Sequence, residues 1–181
     1  MNPPLNEDTL VQSTTADYLE AELGWDNVFA YNMETFGKEG LLGRESDKEV
    51  LLTRYLGEAL VKFNPGLPQA AYQDALRQIT EAPVTENMLQ INYEQYERVK
   101  NGVLVQYRNA KGELEKKRLK VFDFETPENN HFLCVRELWV RGDIYRRRAD
   151  IVGFVNGLPL LFIECKTIHK DIRHAYENNL S

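Results

Sequence analysis

Residues 146–165 place two strand-length apolar segments on either side of Asn156-Gly157, a pair that tolerates the left-handed backbone of a tight hairpin turn. Each segment is interrupted by charge. Asp150 lies within Ala149-Asp-Ile-Val-Gly-Phe-Val155, and Glu164 and Lys166 end the run Leu158-Pro-Leu-Leu-Phe-Ile-Glu-Cys-Lys166. Charge inside so apolar a strand is costly unless it is paired or bound to a metal ion. The hairpin therefore belongs in a sheet with a buried face, and its charges have to be satisfied there.

Strand geometry sets up a test. Glu164 and Lys166 are two residues apart and share one face. A two-residue Asn156-Gly157 turn pairs Val155 with Leu158 and puts Asp150 opposite Ile163, on the other face from Glu164. A three-residue loop, 155–157, with Gly157 as a G1 bulge, puts Asp150 diagonal to Glu164 on the same face. Two carboxylates and a lysine converging in this way suit phosphodiester hydrolysis. Mg²⁺ takes hard oxygen ligands and needs only one or two carboxylates, so Asp150, Glu164 and the backbone carbonyl of Cys165 form a candidate set, with Lys166 beside it to orient water or offset charge. A site of this kind predicts the bulged hairpin. The competing reading makes Asp150 the partner of a neighbouring arginine and Glu164 and Lys166 an exposed strand end; the spacing alone does not separate the two.

The rest of the chain supplies helices and further strands. A helix is expected over 7–23, with Asn6 as N-cap and Gly24 as its stop, followed by a strand over 28–36 and a polar loop over 37–45. Ser46-Asp-Lys-Glu49 reads as a capping box for a helix running to Phe63, ended by Asn64-Pro65-Gly66. Pro68 opens a helix to Thr80, and another spans 86–100 before Gly102. Leu89, Tyr93 and Tyr96 have the spacing of that helix's buried stripe. Beyond Gly102 the period changes, with strands expected over 103–108, 113–125, 131–141, 146–155 and 158–165, and a final helix over 171–181. The sum is a single α/β domain over 1–181, a mixed sheet flanked by helices. The last helix has no stop signal, so a longer polypeptide is expected.

Composition removes several classes of function. The chain has 181 residues and a net charge of −6, which argues against binding nucleic acid through bulk positive charge. The charge is uneven: residues 1–90 hold 6 basic and 15 acidic side chains, residues 91–181 hold 16 and 13. A polyanion would therefore meet the second half. Arg146 and Arg148 in one basic run, and Lys116 and Lys117 in another, are candidates for facing a DNA backbone and equally for lying solvated on strand edges. Cys134 and Cys165 are too few for a disulfide framework and read as buried thiols of a cytoplasmic protein. A zinc site from His131, Cys134, Cys165 and His169 is a weak alternative, since no Cys-x-x-Cys is present. There is no apolar run of membrane-spanning length, no signal peptide pattern and no P-loop.

The run from Asp150 to Lys166, with Val155-Asn-Gly-Leu-Pro-Leu160 inside it, resembles the nuclease motif of the PD-(D/E)xK superfamily, in the form found in the restriction (R) subunit of type I restriction enzymes. Leu10-Val-Gln12, Leu23-Gly-Trp25, Phe63-Asn-Pro-Gly-Leu-Pro68 and Ala175-Tyr176 are similar to that family as well, so the likeness covers most of the chain. Ala149 stands where the superfamily often has proline. The resemblance implies a restriction-endonuclease-like fold and Mg²⁺-dependent cleavage of double-stranded DNA, with Mn²⁺ as a substitute. Asp150 and Glu164 would be metal ligands and Lys166 the catalytic lysine. It implies an acidic helper on the first helix, for which Glu7 shares the apolar face and Glu20 does not, and a Gln-x-x-x-Tyr helix whose Gln position falls near Asn178 or Asn179. It further implies ATP-driven helicase-like motor domains in the same polypeptide, and methylation and specificity subunits as partners. An inert docking module of the same fold and a repair nuclease of the same superfamily are the rival expectations.

Overall fold

The computed structural model describes residues 7–81 and 87–165, the first four by backbone alone. They fall into two compact units, one made of residues 7–50, 132–155 and 159–165, the other of the described residues of 51–131 together with 156–158.

The first unit is built on a mixed four-stranded sheet. Its order is β1 (Asp26–Phe29), β4 (Phe132–Arg141), β5 (Arg146–Val155), β6 (Leu158–Ile163). β1 runs parallel to β4, and β4 and β5 form an antiparallel hairpin from Phe132↔Val155 to Arg141↔Arg146. Helix α1 (Glu7–Leu23) packs on β1, β4 and β5. It stops as the sequence dictates: Gly24 adopts φ 69°, its N–H donates to the Glu20 carbonyl at 3.1 Å, and the Trp25 N–H reaches the Leu19 carbonyl at 3.0 Å. The helix buries Ala16 and Leu19 against Cys134, Ile151 and Cys165, with Trp25 and Ile163 packed at the margin. Trp25 explains Gly153: a Cβ there would lie 2.7 Å from the indole and 2.9 Å from Leu161 Cβ.

The second unit is helical with a small ribbon. α2 (Thr53–Phe63) and the ribbon strand β2 (Val103–Arg108) both pack on α3 (Gln69–Thr80). Leu56 and Leu60 of α2, Ala75 and Ile79 of α3, and Val103 and Val105 of β2 are buried, at about 1.5–3 kcal/mol for each large apolar side chain. β2 pairs antiparallel with β3 (Leu114–Leu119). Asn156 and Gly157, which join β5 to β6, both adopt positive φ (50° and 82°), the geometry of a two-residue type I′ turn. Asn156 is buried because it organises its surroundings. Its Nδ2 donates to the Val121 carbonyl and to Asn130 Oδ1, and its Oδ1 accepts from the His131 N–H.

Several expectations need correction. The strand expected over 28–36 ends at Phe29, because the Met33 and Glu34 N–H groups fold back onto the Ala30 carbonyl and Asn32 is left-handed. The capping box at Ser46 does not open a helix. Ser46 Oγ accepts weakly from the Lys48 N–H, the Glu49 carboxylate takes the Glu45 N–H instead, and α2 begins only at Thr53. The strand expected over 113–125 stops at Leu119, and the one over 158–165 leaves the sheet after Ile163. α4 (Met88–Asn101) buries no residue: Leu89, Tyr93 and Tyr96 are exposed, and the helix meets α3 through polar contacts, Arg98 donating to the Gln78 carbonyl and Gln95 to that of Ile79. The expected terminal helix, 171–181, and the Asn6 cap lie outside the described residues. No described helix is long and apolar enough to cross a membrane.

The Trp25–Gly153 contact makes a direct prediction. Gly153→Ala has to displace an indole and a leucine, and should cost about 1–3 kcal/mol in urea unfolding at unchanged slope. An unchanged midpoint would mean that Trp25 does not pack on this strand.

Candidate functional site

The site is built where β5 and the end of β6 depart from regular strand geometry. In the β4–β5 ladder Arg136 pairs with Ile151 and Leu138 with Ala149, which leaves Glu137 and Asp150 facing each other between two paired steps. Glu137 has a left-handed φ of 57°. Arg147, Arg148, Ala149 and Val152 of β5 line a cavity of about 340 Å³, together with Leu138, Val140, Phe162 and Glu164.

Asp150 lies between those two steps, half-buried, and its Oδ2 accepts the backbone N–H of Cys165 at 2.7 Å. That amide belongs to the Glu164–Cys165 peptide, so the Asp150 carboxylate is in contact with the backbone that carries Glu164. The expected bulged three-residue loop is therefore not how the two come together. The turn is the two-residue form, and the irregularity lies further along, at Asp150 and in the exit of the chain from β6 after Ile163. The Gly157 carbonyl in this turn accepts the Leu52 N–H at 2.9 Å. Cys165 turns its thiol into the α1 core, away from the cavity that Glu164 lines.

Glu137 is the residue that sequence reasoning missed. It is buried, it lies opposite Asp150, and its Oε2 meets Arg148 Nε at 2.5 Å. Its signal was the one applied to Asp150, a charge within the apolar strand Phe132-Leu-Cys-Val-Arg-Glu-Leu-Trp-Val140. Among the described residues no three His, Cys, Asp or Glu side chains converge as a metal cage. Of the zinc alternative, His131 stacks on Tyr55 at 4.9 Å, Cys134 and Cys165 share the α1 core, and His169 lies outside the described residues. Glu20 accepts from Asn27 Nδ2 at 3.1 Å and is exposed. The face of α1 on which Glu7 was expected does not turn inward: Val11 and Tyr18 are 48% and 58% exposed, and the helix buries Gln12, Ala16 and Leu19 instead. Arg146 and Arg148 lie on β5, each ion-paired. Lys116 and Lys117 are exposed on successive positions of β3, opposite Gln106 and Val105. The side chain of Glu7, and Lys166, Asn178 and Asn179 entirely, lie outside the described residues.

Comparison with known proteins identifies the sequence. It matches the family described as type I restriction enzyme R protein N terminus over residues 4–180. It is 33% identical to the type I restriction enzyme HindI endonuclease subunit of Haemophilus influenzae over 163 residues, 90% of this chain and 15% of that protein. A Methanocaldococcus jannaschii protein provisionally named type I restriction enzyme MjaIXP endonuclease subunit is 27% identical, again over 90% of this chain and 15% of its own length. The chain thus spans about 15% of the length of the relatives it matches.

Cys134 behind the site supplies a pH test. Burial pushes its thiol up from 9.0 to about 11, against the opposing pull of the Arg136 charge. The folded state therefore keeps a proton that the unfolded state has lost, and stability is intact below pH 9 and falls as the pH climbs from 9 towards 11. Cys134→Ser should flatten that alkaline limb of the urea midpoint against pH. An unaltered limb would contradict the assignment.

Proposed function

The chain belongs to the family of type I restriction enzyme R protein N termini, and on that premise we propose that it is the endonuclease domain of such a subunit, with a PD-(D/E)xK core that hydrolyses double-stranded DNA with Mg²⁺. The observation that carries this reading is the contact between the Asp150 carboxylate and the Glu164–Cys165 peptide, on neighbouring strands of a mixed sheet. The named endonuclease subunits among its relatives support it.

The donor set fits a hard octahedral ion. Two carboxylates and a carbonyl, with water completing the shell, are what Mg²⁺ takes, and a cage of side chains is not needed. Asp150, Glu164 and the Cys165 carbonyl would hold the ion, with Mn²⁺ as a substitute. When bound, the ion lowers the pKa of its water and neutralises charge on the phosphate. The protein's part is positional. The Cys165 N–H fixes the plane of the Asp150 carboxylate, so that group enters the reaction already oriented. The chain's exit from β6 presents Glu164 to the cavity while Cys165 anchors the same segment in the core. Lys166, two residues on from Glu164, would place its ammonium beside the scissile phosphate and offset the charge that builds on it. Asn178 and Asn179 fall where the family's Gln-x-x-x-Tyr helix would begin.

The remainder of the polypeptide would supply ATP-driven translocation, and methylation and specificity subunits would complete a cytoplasmic restriction complex and choose the DNA site. Cleavage by the complete complex tests the proposal. Asp150→Asn, Glu164→Gln and Lys166→Ala should each lower DNA cleavage about 10²-fold or more while ATP hydrolysis stays at the wild-type rate. Wild-type cleavage by Asp150→Asn would overturn it and favour an inert docking module.

A further inference from the structure

The β4–β5 hairpin carries a basic and aromatic surface that reaches the cavity at Arg148. Arginine and aromatic side chains alternate across the sheet. The Arg136 guanidinium lies 5.2 Å from the Phe29 ring, Phe29 is 6.2 Å from Tyr31, Arg148 is 5.0 Å from Tyr31 and 5.9 Å from Trp139, and Arg146 is 4.4 Å from Trp139. Buried carboxylates grip two of these arginines and Arg141 by Nε: Glu137 holds Arg148 at 2.5 Å, and Asp47 is shared between Arg146 at 2.8 Å and Arg141 at 3.2 Å. Three arginines, 141, 146 and 148, meet two carboxylates, and Arg136 adds a fourth positive charge, so even with Asp143 at the tip the strip stays positive. The Arg141, Arg146 and Arg148 side chains stay 50%, 44% and 39% exposed above carboxylates that are almost wholly covered. Beyond them the hairpin ends in Gly142-Asp-Ile-Tyr145, whose Ile144 and Tyr145 are 83% and 69% exposed.

We propose that this hairpin is an arm that grips duplex DNA next to the hydrolytic site, with phosphates along the arginine strip and Ile144 and Tyr145 seated in a groove. The inference rests on the reading that the chain cuts double-stranded DNA. Guanidinium groups that are oriented by an edge carboxylate and a ring beneath, yet open to solvent, are prepared for phosphate oxygens at little further entropic cost. A two-stranded ribbon fits a DNA groove, and apolar side chains at its tip serve as wedges between base steps. The arm also has the right reach. Arg148 is two residues from Asp150 and Ile144 is six, so at about 3.3 Å per residue the strip starts about 7 Å from the site and the tip lies about 20 Å away, over half a turn of duplex. Glu137 ties the two together, facing Asp150 across the ladder and holding Arg148.

The test uses the complete protein in an Asp150→Asn background without divalent metal, so that DNA stays intact. Fluorescence anisotropy across a salt series should show the slope of log affinity against log salt reduced by about 2 in the Arg146→Gln/Arg148→Gln pair. Ile144→Ser/Tyr145→Ser should weaken binding about tenfold. p-Benzoylphenylalanine in place of Tyr145 should crosslink to the duplex. An unchanged slope, or a crosslink that lands on protein instead of DNA, would overturn the arm. Either failure is separate from a failure of the hydrolytic reading, which shows as cleavage surviving Asp150→Asn.

Discussion

A carboxylate set into an apolar strand has to find a donor, and the Asp150–Cys165 bond is how this sheet meets that requirement. The cost of leaving such a group unsatisfied is several kcal/mol, more than the regular geometry of a few strand residues is worth. The consequences spread outward from the 2.7 Å contact. β6 gives up its ladder after Ile163, the Glu164–Cys165 peptide turns to Asp150, and the Cys165 thiol is driven into the core beneath α1. On the opposite strand Glu137 takes a left-handed backbone. Glu164 is left facing a cavity lined mainly by apolar residues, with Arg147 and Arg148 also at its wall.

A second set of buried charges holds the neighbouring edge of the sheet. Arg44 is 1% exposed and forms a fork on Glu34, with Nε and Nη2 at 2.5 and 2.6 Å from the two carboxylate oxygens. Its remaining donors reach the Glu49 and Trp139 carbonyls at 2.9 and 2.7 Å. A buried pair of this kind contributes little net stability but is costly to break, so it fixes register more than it adds free energy. The fork anchors the segment after β1 to the backbone of Trp139, the ring on which Arg146 and Arg148 rest. Asp47, in the same segment, reaches Arg141 and Arg146. Structural ion pairs and the basic strip are one assembly.

Much of this was legible in the sequence wherever a local signal agreed with the fold. Gly24, Asn64 and Gly102 mark helix ends, the Asn156-Gly157 turn is where the residue pair says it should be, and the apolar strands β4 and β5 run as expected. The charges at Asp150 and Glu164 singled out two segments that the structure brings into contact. What could not be read was the means of bringing them together. A turn signal describes two residues, whereas the contact made by Asp150 depends on Cys165, beyond the end of the next strand. Ser46-Asp-Lys-Glu49 failed as a capping box for a related reason: Asp47 and Glu49 are claimed by other partners. α4 misled because helical spacing describes a face without saying whether anything covers it, and Tyr93 and Tyr96 lie in the open.

The central claim is that Asp150 and the Glu164–Cys165 segment form a metal site whose geometry the Cys165 amide sets. Calorimetric titration of this chain with Mg²⁺, and separately with Mn²⁺, tests it most directly when wild type is compared with Asp150→Ala and both are shown to be folded by circular dichroism. The account predicts heat of binding in the wild type that is lost in the variant. Equal titrations of the two proteins, or no binding by either in the presence of duplex DNA, would contradict it and leave Asp150 as a structural charge.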